Sequence, residues 1–500
     1  MLARPATPLW ASFLLGGLNV LSFAPFEWWW LSFFTLAGLF YFLGRSLDFK
    51  HAFLIGFSYG LGLYLIGASW VYVSLSTYGG MPLWMGAIAV LGFAALLSFF
   101  VGLVGYISAR LFTPNSIERI VAITLIWPVC EWMKSWVLTG FPWLDIGYSQ
   151  TPSWFFAWAP LGGLYLVSFM VAVVAACLAL LKQSSGKTLI PILVLSSFSW
   201  WLNNLQWSQP IGVPLQIGVI QANVDVEEKW RSANRQTVIQ QYSRLAKDLN
   251  KRHRLDLVVL PETAIPIYSQ SADSSFWNDF KPKGTALLVG VLDRPSLVDD
   301  GGGRDEVYNA AVLACEGDTQ VYRKRHLVPF GEYLPLRFMF NWVLDYLELP
   351  MSDMSAWQGQ QSLNCGDKIK IGLSICYEDA FSSEYQQHVG DATLLVNISE
   401  DAWFGDSFAP HQRQQMAQMR ARELARPMVR SANSGPSTFI NHHGQIELET
   451  DQFKVQAISH EIRPQIGETP YKRWGIWPIY LCLIGVGLLW FVKKFKARKV

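Results

Sequence analysis

Of the 500 residues, 51% are hydrophobic and 16% charged, against roughly 25% charged in an ordinary soluble domain, which excludes a wholly soluble chain. The net charge of +2 leaves no basic surplus for a nucleic-acid partner, and the length suggests two or three domains. The 23 tryptophans and 31 phenylalanines suit a chain that meets bilayer interfaces, where aromatic rings concentrate.

Residues 8 to about 205 are almost continuously apolar. A helix needs about 20 apolar residues to cross the hydrocarbon core, and the pattern predicts seven spans near 8–24, 27–44, 52–75, 82–109, 117–138, 155–181 and 188–205, with an eighth at 474–492. "FAPFEWWW" reads as a tight turn or the middle of a re-entrant pair. The first apolar run leads straight into more of the same, so no cleavable leader is expected. Arg4, Arg45, Lys50, Arg110, Arg119, Lys182 and Lys187 fall in one set of loops, while "APFE", "STYGGMP" and "TGFPWLDIGYSQTPS" contain no Arg or Lys. Basic loops stay in the cytoplasm, so both termini are expected there. The organisation predicted is a polytopic α-helical membrane domain over 1–209, an extracytoplasmic domain over 210–468, and a last span with a basic tail over 469–500. Within span 5, Glu131 and Lys134 lie one helical turn apart and are expected to pair, because unpaired charge in a membrane is costly. Asp145, in the following loop, is a candidate head-group contact at the outer surface.

Between about 210 and 468 the rhythm changes. "LQIGVIQANV", "LDLVVLPETA", "TALLVGVLD", "YNAAVLACEG", "KIKIGLSICYED", "ATLLVNIS" and "PMVRSANSGPSTFIN" are short runs rich in Val, Ile and Leu that read as buried strands. Polar stretches at 230–251 and 409–425 read as helices. Strands mixed with helices imply layered α/β architecture. Three segments place a reactive side chain at a strand end: Glu262 in "VVLPETA", Lys324 in "VYRKRHLVPFGEYLP" and Cys376 in "IGLSICYED". A thiolate attacks ester carbonyls, a nearby carboxylate relays its proton, and an ammonium favours the thiolate and an oxyanion. Of the six cysteines, Cys130, Cys177 and Cys482 sit in apolar runs as packing residues. Spacing leaves open whether Cys315 and Cys365 pair. Neither a metal nor an organic cofactor is indicated.

In "LPET", "KRHLVPFGEY" and "ICYED" the chain resembles the nitrilase, or carbon–nitrogen hydrolase, superfamily over about 214–460. The resemblance implies an αββα sandwich and a Glu262–Lys324–Cys376 triad of base, oxyanion stabiliser and nucleophile. Glu332 and Glu378 match supporting positions, Asn309 and Trp230 match pocket positions, and the Tyr377 N–H is implied as a second oxyanion donor. With the predicted spans, and with "GFPWLDIGYSQ" and "QANVDVEEKW", the whole chain resembles the membrane-embedded branch that N-acylates lipoproteins. That branch implies a bacterial inner-membrane enzyme with a periplasmic catalytic domain. It implies a phospholipid as acyl donor, a diacylated apolipoprotein as acceptor, and a cysteine thioester between them. Residues 334–357, with Phe338, Phe340 and Trp342, are a candidate lipid-gating arm, and "DAWFG" at 401–405 a second lip. The residues by themselves leave two other readings open: a membrane-tethered amidase and a catalytically silent lipid-binding scaffold.

Overall fold

The computed structural model describes residues 7–295, 306–335, 337–340, 353–359 and 363–497. Most of the candidate arm, Trp342 included, and the Phe340 side chain lie outside them. The chain forms two compact units: Met1–Ser76 with Pro82–Gln206 and Pro470–Val500, and Thr77–Met81 with Trp207–Thr469.

In the first unit every apolar run contains a helix: Thr7–Asn19, Leu31–Arg45, Phe49–Gly67, Leu83–Leu111, Ile117–Lys134, Ala159–Ala179, Leu189–Leu202 and Trp477–Ala497. Among the described residues four are long and apolar enough to cross a membrane, Phe49–Gly67, Leu83–Leu111, Trp154–Ala179 and Trp477–Lys496, while Leu31–Arg45 and Leu189–Leu202 are apolar but shorter. Length is the reason for those two: 15 and 14 residues of helix rise about 22 Å, short of a hydrocarbon core of about 30 Å, whereas Ile117–Lys134 has 18 residues but carries Glu118, Arg119, Glu131 and Lys134. "FAPFEWWW" is a turn, closed where the Glu27 N–H donates to Phe23 O (3.0 Å) and the Trp28 N–H to Leu21 O (2.9 Å). Helices approach through small residues. A Cβ at Gly16 would lie 1.9 Å from Tyr59 O, and one at Gly62 2.0 Å from Phe13 O, so Thr7–Asn19 and Phe49–Gly67 meet backbone to backbone.

The charges in this unit are not arranged as the spacing implied. Lys134 pairs with Asp145 (2.7 Å), not Glu131, and also donates to Tyr64 Oη (2.8 Å) and Trp143 O (2.7 Å). Glu131 instead accepts from the Ile146 N–H (2.8 Å) and Trp127 Nε1 (3.0 Å). Asp145 is fully buried, so it is no surface head-group contact. The loop after Ile117–Lys134 folds back onto its own helix, and a buried ammonium needs a carboxylate more than a head group does.

The second unit is built on two six-stranded sheets. One runs Gln456–Ile462, Leu215–Gln221, Leu257–Val259, Ala286–Asp293, Tyr308–Ala314, Thr319–Arg323. The other runs Ile446–Glu449, Thr438–Ile440, Met428–Ala432, Leu394–Ser399, Ile369–Ile375, Leu363–Cys365. Their apolar faces meet: Ile217, Val219, Leu257 and Leu313 pack with Leu373, Val396, Val429 and Phe439. The outer face of the first sheet is covered by Arg235–His253, whose Val238, Tyr242, Ala246 and Leu249 pack on Ile220, Val258 and Val289. Ala409–Leu424 lies against the second sheet. Each sheet has a parallel centre, so several strands discharge their C-terminal ends in one direction. Cys315 and Cys365 form a disulfide, Cα to Cα 5.7 Å, joining the end of Tyr308–Ala314 to Leu363–Cys365 and so one sheet to the other.

Replacing Lys134 by Met alone strands the Asp145 carboxylate and is expected to cost about 3–5 kcal/mol. Thermal unfolding of the detergent-solubilised protein measures this, and Lys134→Met with Asp145→Leu should recover most of the loss.

Candidate active site

Glu262, Lys324 and Cys376 each stand just beyond a strand: Leu257–Val259, Thr319–Arg323 and Ile369–Ile375. Glu262 comes close to its sheet because the neighbouring strand carries Gly290 there. A Cβ at Gly290 would lie 2.4 Å from Thr263 N and 2.7 Å from Glu262 Cα, so any side chain would push the carboxylate away. Lys324 is held at its backbone, where its N–H donates to Asn309 O (2.8 Å). Cys376 opens the short 3-10 turn Cys376–Ala380 at φ +50°, a left-handed conformation uncommon for a non-glycine residue and worth attention at a reactive one.

Hydrogen bonds join Lys324 to Glu262 directly and tie the lysine segment to the cysteine turn through Glu378. Lys324 Nζ lies 2.8 Å from Glu332 Oε1 and 3.4 Å from Glu262 Oε1. Asn309 Nδ2 donates to the same two oxygens, at 2.6 Å to Glu262 and 2.8 Å to Glu332. The second oxygen of Glu262 accepts the Glu400 N–H (2.9 Å), and that of Glu332 the Val328 N–H (2.8 Å). Glu378 clamps the cysteine turn to the lysine segment. Its Oε2 accepts from the Ile375 N–H (2.6 Å) and Tyr322 Oη (3.0 Å), and its Oε1 from the Arg325 N–H (2.6 Å) and His326 N–H (3.3 Å). The Tyr377 ring packs edge-on against Phe381 (4.8 Å) and His326 (5.8 Å). Trp230 ends the short helix Val226–Trp230, beside Lys229, whose ammonium meets Glu400 (2.7 Å) and Thr263 Oγ1 (3.3 Å).

Several partners of the cysteine were not singled out by the sequence. Arg413 Nη1 donates to Cys376 Sγ (3.0 Å) and Ser399 Oγ (2.9 Å), and its Nη2 to Cys376 O (2.5 Å) and Asp379 Oδ1 (2.9 Å). Asp401 is buried and paired with Arg430 (2.6 Å), so it props the site from within, while Trp403 and Phe404 beside it are half-buried. Arg413 lies on a helix whose composition reads as a solvated face. The one available signal was "ICYED", whose second acid, Asp379, needs a cation.

Burial pushes the Cys376 thiol up to about 11, helped by the Glu262 charge and opposed by Arg413 and then Lys324. Burial alone would depress Lys324, but the carboxylates of Glu332 and Glu262 outweigh it and hold the ammonium above its ordinary range. Burial raises the Glu378 and Glu400 carboxyls. Asp401 moves the other way, because Arg430 and Arg413 overcome its burial. Burial thus holds the Cys376 thiol neutral while Glu262 and Lys324 both act on it, an arrangement competent for nucleophilic acyl chemistry with proton relay.

Residues 216–471 match the Carbon-nitrogen hydrolase family, and residues 15–177 match the Apolipoprotein N-acyltransferase N-terminal domain. Curated relatives align along almost the whole chain. The apolipoprotein N-acyltransferase of Methylococcus capsulatus is 36% identical over 492 residues, covering 97% of this chain and 96% of that protein. That of Chromobacterium violaceum is 33% identical over 482 residues, 95% of this chain and 91% of that protein. That of Pseudomonas aeruginosa is 35% identical over 499 residues, 97% and 96%.

A thiol held near 11 is almost wholly protonated at neutral pH. Iodoacetamide labelling of Cys376 in the substrate-free protein is expected to climb about tenfold per pH unit between about 7 and 10, with Cys376→Ser as the blank. A plateau near the ordinary thiol value of about 8.5 would show that burial does not govern this sulfur.

Proposed function

The chain belongs to the apolipoprotein N-acyltransferase family, and from that premise we propose that Glu262, Lys324 and Cys376 carry its reaction, moving an acyl chain from a phospholipid onto the N-terminal amine of a diacylglyceryl-cysteine. The activity is N-acylation of apolipoproteins. The observation that carries the residue assignment is the Lys324 ammonium, shared between Glu262 and Glu332, with the charges of Lys324 and Glu262 both acting on Cys376.

Glu262 takes the thiol proton as Sγ attacks the ester carbonyl of the phospholipid. The carbon–sulfur bond forms, and the oxyanion is met by Lys324 and the Tyr377 N–H. The carbon–oxygen bond then breaks, and the lysophospholipid oxygen leaves with the proton Glu262 holds. In the second half the lipoprotein amine attacks the thioester and gives a proton to Glu262. The carbon–sulfur bond breaks, sulfur takes back its electron pair and then the proton, and the amide departs. Glu332 and Asn309 keep Lys324 aligned, and Glu378 keeps the cysteine turn in register with it. On this reading Asn309 and Trp230 line the substrate pocket. Transfer prevails over hydrolysis because water is kept from the thioester, and at 8% exposure Cys376 is a shielded sulfur.

The same reading makes this an eight-span protein of the bacterial inner membrane with both termini in the cytoplasm. The membrane domain covers 1–209, the periplasmic catalytic domain 210–468, and the last span and tail 469–500. The Arg and Lys asymmetry of the loops supports that topology, and the Cys315–Cys365 disulfide suits an oxidising compartment.

Incubation with labelled phospholipid should leave an acyl thioester on the wild type and none on Cys376→Ser, read by intact-protein mass spectrometry. Glu262→Gln is expected to slow N-acylation of a diacylated lipopeptide by about 10²–10⁴-fold. A serine variant that matures lipopeptide at the wild-type rate would remove Cys376 from the chemistry.

A further inference from the structure

We propose that Arg413 is a catalytic residue: it holds the Cys376 sulfur as an anion, once when the thiol is deprotonated and again when the thioester is broken. The inference rests on Cys376 being the nucleophile.

The geometry divides two cations between two tasks. Lys324 directs its ammonium to Glu332 and Glu262, which leaves it suited to an oxyanion on the carbonyl side. Arg413 points Nη1 at the sulfur itself, 3.0 Å away. Both Nη atoms of its planar fork have acceptors: Sγ and Ser399 Oγ for Nη1, Cys376 O and Asp379 Oδ1 for Nη2. The guanidinium therefore grips the nucleophile at its side chain and its backbone together, a geometry that a lysine cannot reproduce. The neighbouring hydroxyl does not compete for the sulfur. Ser399 Oγ lies 3.7 Å from Sγ but 2.6 Å from Asp401 Oδ1, and its single hydrogen belongs to the shorter, charge-assisted bond.

Burial forces this design. Arg413 is 1% exposed, and a lone guanidinium there would be prohibitively costly. Asp379 at 2.9 Å and Asp401 at 3.7 Å from the guanidinium offset its charge. With two carboxylates already facing one cation, a thiolate forms only while the proton acceptor Glu262 and the ammonium Lys324 are also present. The charged groups facing the sulfur are Glu262, Arg413, Lys324 and Asp401, with Asp379 acting through Arg413. In the acylation half, the sulfur-to-carbon bond consumes the charge that Arg413 held. In the deacylation half, the nitrogen-to-carbon bond forms, the carbon–sulfur bond breaks, and the electron pair returns to Sγ beside Nη1. A better-held thiolate is a better leaving group, so Arg413 accelerates the release of the acyl chain as well as its capture.

The test is the pH dependence of iodoacetamide labelling of Cys376 in the full-length, detergent-solubilised protein. Arg413→Gln is expected to move the midpoint up by at least one pH unit, about tenfold less thiolate at any pH below it. It should also slow aminolysis of a preformed acyl-enzyme by tenfold or more. Asp379→Asn relieves Arg413 of one carboxylate and should move the midpoint down. A structural arginine would change the unfolding temperature and leave both midpoints where the wild type has them, and that result overturns the proposal. Should Arg413→Gln fail to fold, the isosteric Asp379→Asn decides alone: a downward shift supports the proposal and an unchanged midpoint ends it. Cys376→Ser runs in parallel. If it keeps N-acylation, the nucleophile assignment itself has failed; if it loses activity while the other two midpoints stay fixed, only the role of Arg413 has.

Discussion

The Lys324 ammonium has no solvent contact, and it persists as a cation because Glu332 stands 2.8 Å and Glu262 3.4 Å from it. Desolvating such a charge costs several kcal/mol unless opposite charge and hydrogen bonds replace the lost water. Everything near it follows from that demand. Asn309 bridges the two carboxylates, so their shared oxygens are held by two donors and not one. The Glu400 and Val328 N–H groups occupy the remaining oxygens. A carboxylate so fully bound is fixed in position, which a proton relay requires.

The cysteine half of the site meets the same demand from the other sheet. Arg413, Asp379, Asp401, Arg430 and Ser399 form a buried, alternately charged chain behind Cys376. Glu378 joins the halves: it receives the Ile375 N–H at the turn's start and the Arg325 N–H beside the lysine. The two sheets pack through an apolar interior, and the polar groups collect where strands end and backbone groups are left without ladder partners. The fold thus supplies, at one rim, both the donors that stabilise buried carboxylates and the loops that carry them.

The strands legible in the sequence were those with both faces covered. Leu215–Gln221, Leu394–Ser399 and Met428–Ala432 are buried along nearly their whole length because each lies inside its sheet, and their Val, Ile, Leu and Met made them legible. Within the two six-stranded sheets, the described strands outside the quoted apolar runs are Thr319–Arg323, Leu363–Cys365, Ile446–Glu449 and Gln456–Ile462, and these are the sheet edges. They are partly exposed, so their pattern is polar and irregular. Ala409–Leu424 was legible as a helix but not as a buried one, because its Arg413 and Arg420 are satisfied by ion pairs and not by water. Lys134 shows the same limit: spacing along one helix offered Glu131, and the returning loop supplied Asp145.

By itself the sequence determined the apolar helices and the α/β character of the rest, and it put Glu262, Lys324 and Cys376 forward as candidates, because hydrophobic runs and strand-end motifs are local properties of the chain. Only the tertiary structure decided which charges meet: Glu332 and Asn309 on Lys324, Arg413 on Cys376, Asp145 on Lys134, and Cys315 with Cys365. A buried charge takes whichever partner the fold brings within about 3–4 Å, and that partner may be tens or hundreds of residues away along the chain.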